Sequence, residues 1–91
     1  MAEVHDNRAQ RRYELQHEGG PSIAEYEDAD GVRLITHVET PPVARGKGHA
    51  AQLMAAVVAS ARAGGTKLVP RCSYAAAYFR RHPEAADVLA S

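Results

Sequence analysis

The sequence predicts an α+β domain in which an antiparallel meander of three strands leads into a strand–helix–strand crossover and a final helix. Two patterns carry this prediction: apolar residues alternate with polar ones in three short segments before residue 40, and they recur at helical spacing in two later segments. A stretch rich in glycine and proline, PPVARGKGH at 41–49, joins the two halves. The predicted order of elements is therefore β-β-β-α-β-α.

The composition indicates one small domain over residues 1–91 with a thin core. Apolar residues make up 45% of the chain, but only 5% of the residues are aromatic. Lys plus Arg equals Asp plus Glu at 11 each, so we expect no general attraction to nucleic acid or to an anionic membrane. Cys72 is the single cysteine, which excludes an internal disulfide, and no apolar run resembles a membrane span or a signal peptide. We expect a cytoplasmic protein, a monomer or weak dimer, with no metal site.

The meander is predicted over residues 11–40. Segments 11–16 and 23–28 alternate around a turn at 17–22, and the strand at 32–40 follows a second turn at 28–31. The period of two divides the third strand into two faces, one with Val32, Leu34, Thr36 and Val38 and the other with Arg33, Ile35, His37 and Glu39. Residues 1–10 are polar and aperiodic, so we expect a loose N-terminal tail that joins the first strand at most at its end.

The second half contains two predicted helices and one predicted strand. The first helix runs from about 48 to 63, because apolar residues recur at helical spacing there and glycines at 64 and 65 end it. Residues 67–72 form a short buried strand, and a second helix starts after Ser73 and stops before Pro83. The two strands around the first helix are expected to be parallel through a right-handed crossover. Residues 85–91 are expected to be a C-terminal tail.

The stretch before the first helix combines bare backbone, positive charge and a helix start. Gly46 and Gly48 let the backbone approach a ligand, Arg45 and Lys47 add charge, and the amides of about 46–50 can point at phosphate oxygens. A solvent-exposed glycine turn that merely opens a helix is the alternative. The stretch lacks the Gly-Lys-Ser/Thr ending of the nucleotide phosphate loop and the three spaced glycines of the dinucleotide fingerprint.

A strand followed by an Arg-x-x-Gly-x-Ala turn (Arg45, Gly48, Ala50) and a helix resembles the acyl-CoA pyrophosphate loop of GNAT-type N-acetyltransferases. The segments THVETPPVARGKGHAAQLM and KLVPRCSYAAAYFRRHPE are similar to a small single-domain GNAT-like family. Members of that family carry a His-x-Glu strand end, a Pro-Pro-x-x-Arg-Gly-x-Gly loop, a Pro-x-Cys strand end and an Arg-Arg-His-Pro helix end. The resemblance covers residues 36–84 and implies a minimal GNAT fold.

The resemblance also implies acetyl-CoA as the cofactor and an amine as the acceptor, with direct attack of the amine on the acetyl group. Its pyrophosphate would lie on the amides of residues 46–50, and its pantetheine arm beside residues 34–40. An open site of this kind suits a peptide lysine or a polyamine. The predicted cofactor-binding residues are Val38, Arg45, Gly46, Lys47, Gly48, His49, Ala50 and Tyr78.

Acetyl transfer needs a base for the amine and a proton for the leaving thiolate. His37 and Glu39 lie two apart on one strand and so share a face, where either can take the proton; the resemblance favours Glu39. A solvated ion pair is the alternative. Tyr74 and Tyr78 are candidate proton donors on the final helix, but the resemblance aligns Phe79 with the family's tyrosine, and a core aromatic is the alternative for Tyr78.

Cys72 ends the last predicted strand, beside the start of the final helix, where a helix dipole favours a thiolate. By resemblance, the Pro-x-Cys pattern places it at the acyl pocket, and a small buried hydrophobe is the alternative. Two other functions stay open: a non-catalytic module that binds CoA, and a small interaction protein in which the glycine loop is only a turn.

Overall fold

The computed structural model describes residues 4–90, in which a five-stranded sheet accompanies two α-helices and two 3₁₀ turns. The strands are β1 (Val4–Asn7), β2 (Arg12–Leu15), β3 (Ser22–Ala29), β4 (Val32–Glu39) and β5 (Lys67–Pro70). The helices are α1 (His49–Gly64) and α2 (Ser73–Arg81), and the 3₁₀ turns cover Pro42–Ala44 and Pro83–Val88.

The strands lie in the sheet in chain order, with the first four antiparallel and β5 parallel to β4. This arrangement confirms the predicted meander and crossover, and both helices begin and end close to their predicted limits. The structure adds β1, which pairs with β2 from Val4↔Leu15 to Asn7↔Arg12. The expected loose tail over residues 1–10 is therefore wrong for 4–7, while residues 1–3 lie outside the described residues.

Helix α1 packs its apolar side on the sheet. Its buried residues are Leu53, Met54, Val57, Val58 and Ala61, the spacing of a single helix face. They join one core cluster with buried residues of β2 and β3, including Tyr13, Leu15, Ala24 and Tyr26. The helix ends at Gly65 in the left-handed region, where the amide of Thr66 reaches back to the carbonyl of Ala61 at 2.9 Å.

A β-bulge divides β4 into two parts. Tyr26 pairs with Ile35 but Glu25 pairs with His37, so Thr36 is an extra residue, and its hydroxyl donates to the carbonyl of Glu25 at 3.2 Å. The bulge reverses the alternation beyond Thr36. Ile35 is fully buried and His37 is exposed, so the prediction that these two share a face is wrong.

The segment after α2 is part of the core, contrary to the expected tail over 85–91. Ala85 and Val88 are buried, and Leu89 forms a bridge to Leu68 of β5. Asp87 binds Arg62 of α1 through both carboxylate oxygens at 2.7 Å, and its carbonyl accepts from Lys67 at 2.7 Å. Residue 91 lies outside the described residues. Of the helices within 4–90, none is long and apolar enough to cross a membrane.

Candidate active site

A cleft of about 450 Å³ lies where the end of β4, the following loop and the start of α1 meet. This volume falls in the range of small-molecule sites, ~300 to 1,000 Å³. Its walls are formed by His37, Val38, Glu39 and Thr40 of the β4 end, Ala44, Arg45, Gly46 and Gly48 of the loop, His49, Ala50 and Ala51 of α1, and Tyr74 of α2. The cleft therefore brings together most of the residues that the sequence singles out.

The start of α1 lines this cleft, and the first backbone amides of a helix have no partner within the helix. Gly48 is the N-cap with φ +81, a conformation that a side chain disfavours, and Gly46 in the loop has φ +82. No side chain within residues 4–90 caps the helix, and its first turn carries no acidic residue. The amides of the first turn and the positive end of the helix dipole thus suit an anion.

Arg45 and Lys47 add positive charge beside the helix start, but only Arg45 lines the cleft. The Nε of Arg45 donates to the carbonyl of Thr40 at 3.3 Å, which ties the loop to the end of β4. Lys47 is exposed between the two glycines. An anion in the cleft would therefore meet Arg45 in the wall, while Lys47 lies two residues farther along the same loop.

The end of β4 extends past its parallel neighbour. Pairing with β5 stops at Ile35↔Pro70, and the carbonyl of Ile35 accepts from the amides of Arg71 and Cys72 at 2.9 and 3.2 Å as the chain turns into α2. The pairs with β5 thus end before Val38, and Val38 lines the cleft. An extended ligand carrying amide groups can hydrogen-bond to a strand edge of this kind.

His37 and Glu39 lie on the same face of β4, as the sequence predicts. Their cross-strand partners are Glu25 and Ile23, whereas Val38 pairs with buried Ala24 on the opposite face. The Nε2 of His37 lies 3.0 Å from an Oε1 of Glu39, and the two side chains are 51% and 58% exposed. The carboxylate thus stands at the cleft wall within reach of water, in position to take a proton directly or through that water.

Tyr74 is the aromatic residue that α2 contributes to the cleft, in place of the predicted Tyr78. A tyrosine hydroxyl is protonated at neutral pH and has a proton to donate, and burial raises the pKa of the Tyr74 hydroxyl further. Tyr78 is only 8% exposed and packs edge-on against Phe79 and in a stack on His82. The sequence named Tyr74 as a candidate but could not rank it, because helical spacing alone does not tell which side of α2 meets the cleft.

Cys72 forms the N-cap of α2, and its Sγ accepts from the amide of Ala75 at 3.4 Å. The side chain is half-buried against the core and does not line the cleft, although Tyr74, two residues later, does. The geometry gives the thiol a structural role as the cap of the helix start. A catalytic role for Cys72 is a separate hypothesis.

His17, in the turn between β2 and β3, is a residue that the sequence analysis missed. Its ring stacks on that of His49 with 3.7 Å between the ring centroids and 4° between the planes. The two residues lie far apart in the sequence, and no short motif joins them. Only the fold, which brings the β2–β3 turn against the start of α1, reveals the pair.

Comparison with known proteins supports the same family as the sequence motifs. A family model described as GCN5-related N-acetyl-transferase matches residues 12–88. A GCN5-like protein from Staphylococcus aureus, to which N-acetyltransferase activity is attributed, has a similar solution structure with a TM-score of 0.70 and 21% sequence identity, over 98% of this chain and 88% of that one. None of the curated proteins is detectably similar. The match over residues 12–88 shows that this chain belongs to the GCN5-related N-acetyltransferase family.

Proposed function

We propose that this protein binds acetyl-CoA in the cleft and transfers its acetyl group to a primary amine. The observation that carries the proposal is the meeting of an uncapped helix start with the free end of β4 in one cleft. The first-turn amides of α1 and Arg45 would hold the pyrophosphate. The edge of β4 at Val38 would hold the amide-bearing arm.

When bound, acetyl-CoA supplies an acetyl group already activated as a thioester. The protein's own residues would then move two protons. Glu39, oriented by His37, would take the proton that the amine loses as its nitrogen bonds to the acetyl carbon. Tyr74, whose hydroxyl is protonated at neutral pH, would give a proton to the sulfur as the carbon–sulfur bond breaks.

The acceptor is proposed to be a peptide lysine or a polyamine. Both carry a primary amine on a long flexible chain that can enter an open cleft, and His37 and Glu39 are more than half exposed. Incubation with acetyl-CoA and a panel of lysine peptides, polyamines and small amines tests the proposal, with release of free thiol as the readout. Tight binding of acetyl-CoA without turnover of any amine would favour the non-catalytic module instead.

Gly48→Glu is expected to weaken acetyl-CoA binding at least tenfold, which is ~1.4 kcal/mol. The new carboxylate would stand at the helix start and repel the pyrophosphate. Gly48→Ala is the matched control, because it meets the same backbone strain at φ +81 and its Cβ contacts nothing within 4 Å. Calorimetry on both folded variants measures the difference. Equal affinities of the two variants for acetyl-CoA would show that the pyrophosphate does not bind at the start of α1.

Direct transfer predicts that Cys72 never carries the acetyl group. Its Sγ caps α2 and lies outside the cleft lining, so incubation with acetyl-CoA alone should leave the intact mass unchanged. Cys72→Ala should then reduce turnover only modestly, by less than roughly tenfold, through the lost cap. A stable acetyl adduct at Cys72 that an added amine discharges would instead establish a two-step route through the thiol.

A further inference from the structure

The stacked rings of His17 and His49 stand at the wall of the cleft where an anion would bind. His49 is the first residue of α1 and lines the cleft. The ring of His17, which is not among the residues that line the cleft, stacks nearly parallel on that of His49 at 3.7 Å between centroids. Contact at this distance means that the charge on one ring directly affects the charge on the other.

Hydrogen bonds fix the position of the His17 ring. The carbonyl of Glu18 can only accept, so Nδ1 of His17, 3.0 Å away, must carry a hydrogen and donate to it. The Nε2 of His17 lies 2.7 Å from the hydroxyl of Ser22, which is fully buried, and the Ser22 Oγ lies 2.9 Å from the hydroxyl of Thr40. These hydrogen bonds hold the ring of His17 in the stacking plane.

His49 carries the variable charge of the pair. Burial lowers its pKa, and the neighbouring His17 and Lys47 lower it further. The side chain is therefore neutral at pH 7 to 8 in the free protein. The other charged or titratable groups of the cleft wall are Arg45 of the loop, His37 and Glu39 of β4, and Tyr74 of α2. Glu39 is already bound to His37 at 3.0 Å.

We propose that binding of the cofactor's pyrophosphate at the start of α1 is coupled to uptake of one proton by His49, with His17 as its stacking partner. This inference rests on the proposed function. Pyrophosphate beside His49 favours the imidazolium and offsets the repulsion from Lys47. The bound protein then holds more protons than the free one, so affinity strengthens as pH falls from 8 to 6 and weakens as pH rises.

Calorimetric titration in buffers of different ionisation enthalpy counts the protons taken up on binding. Dephospho-CoA is the probe, because the 3′-phosphate of CoA titrates near neutral pH by itself and would obscure the count. We expect measurable proton uptake near pH 7 that falls toward zero above pH 8. His49→Gln should bind more weakly at pH 6 and take up none.

Three further variants make the assignment specific. His5→Gln, at an exposed position of β1, is the control and should leave the uptake unchanged. His17→Phe keeps an aromatic ring against His49 but removes the imidazole that lowers the pKa of His49, so the pH of maximal uptake should rise. His37→Gln removes the other histidine of the cleft and should retain the uptake. Thermal melts establish that each variant is folded.

The outcomes separate this inference from the function on which it rests. Binding of dephospho-CoA with no proton uptake would overturn the coupling and leave the cofactor site intact. Uptake that persists in His49→Gln, or that disappears in His37→Gln alone, would move the proton to another group and overturn the assignment. Failure of the wild-type protein to bind either dephospho-CoA or acetyl-CoA would overturn the proposed function and this coupling together.

Discussion

Glu39→Gln is expected to slow acetyl transfer about a hundredfold or more while leaving the affinity for acetyl-CoA nearly unchanged. Glutamine has the shape of glutamate and can still hydrogen-bond to Nε2 of His37, which lies 3.0 Å from Oε1 in the native protein. It cannot accept a proton from the attacking amine. The measurement is kcat/KM for the best amine of the panel, together with the Kd for acetyl-CoA by calorimetry.

Variants at Glu39, His37 and Tyr74 test whether the loss of transfer rate comes from removal of the general base. Glu39→Asp keeps the carboxylate and should recover part of the rate. His37→Gln should cost less than Glu39→Gln, since His37 orients the carboxylate rather than taking the proton. Tyr74→Phe should slow transfer without changing the rank order of amines, because it acts on the leaving sulfur. A Glu39→Gln enzyme with the native rate would exclude this carboxylate as the base.

The sequence predicts those elements whose signal is local. Helix α1 is predicted within one residue because its apolar spacing and terminal glycines lie within the helix itself. The loop at 41–48 is predicted as an anion contact because glycines, cations and a helix start are adjacent in the chain. The structure places His37 and Glu39 of β4 and Arg45 of this loop in the wall of one cleft.

Features that depend on contacts between residues far apart in the sequence cannot be predicted from such local patterns. Strand β1 is polar enough to resemble a tail, and it is held by pairing with β2 and by a hydrogen bond from the hydroxyl of Tyr26 to Asp6. The bulge at Thr36 reverses half of β4 and has no local sequence signal. The stack of His17 on His49 needs the β2–β3 turn and α1 to meet.

The burial of the C-terminal segment could not be predicted either, because its alanines and its valine do not recur with a clear period. Ala85 and Val88 are nonetheless 4% and 2% exposed, and the amide of Ala90 donates to the carbonyl of Leu68 at 2.9 Å. The segment therefore covers the edge strand β5 and one side of α1. Its removal would expose apolar surface that includes Leu68, which is fully buried in the intact chain.

A chain that ends at Glu84 is expected to lose ~3 to 6 kcal/mol of unfolding free energy, from the lost burial of Val88 and Leu89 and the exposure of their partners. The ion pair between Arg62 and Asp87 is half exposed and adds less than ~1 kcal/mol to that loss. A domain of this size has a total stability of only ~5 to 13 kcal/mol. The melting temperature should therefore fall by ~15 °C or more, which far-UV circular dichroism measures.

The same Val→Ala substitution at a buried and at an exposed position tests whether the loss of stability comes from burial of the C-terminal segment. Val88→Ala should cost ~1 to 3 kcal/mol because the lost methyl groups are buried in the core. Val43→Ala should cost less than ~0.5 kcal/mol because that side chain, in the loop before α1, is 76% exposed. If the chain ending at Glu84 melts within ~2 °C of the intact protein, a shift well below that expected for 1 kcal/mol, residues 85–90 are a dispensable tail after all. In that case their contacts with β5 and α1 contribute nothing to the stability of the fold.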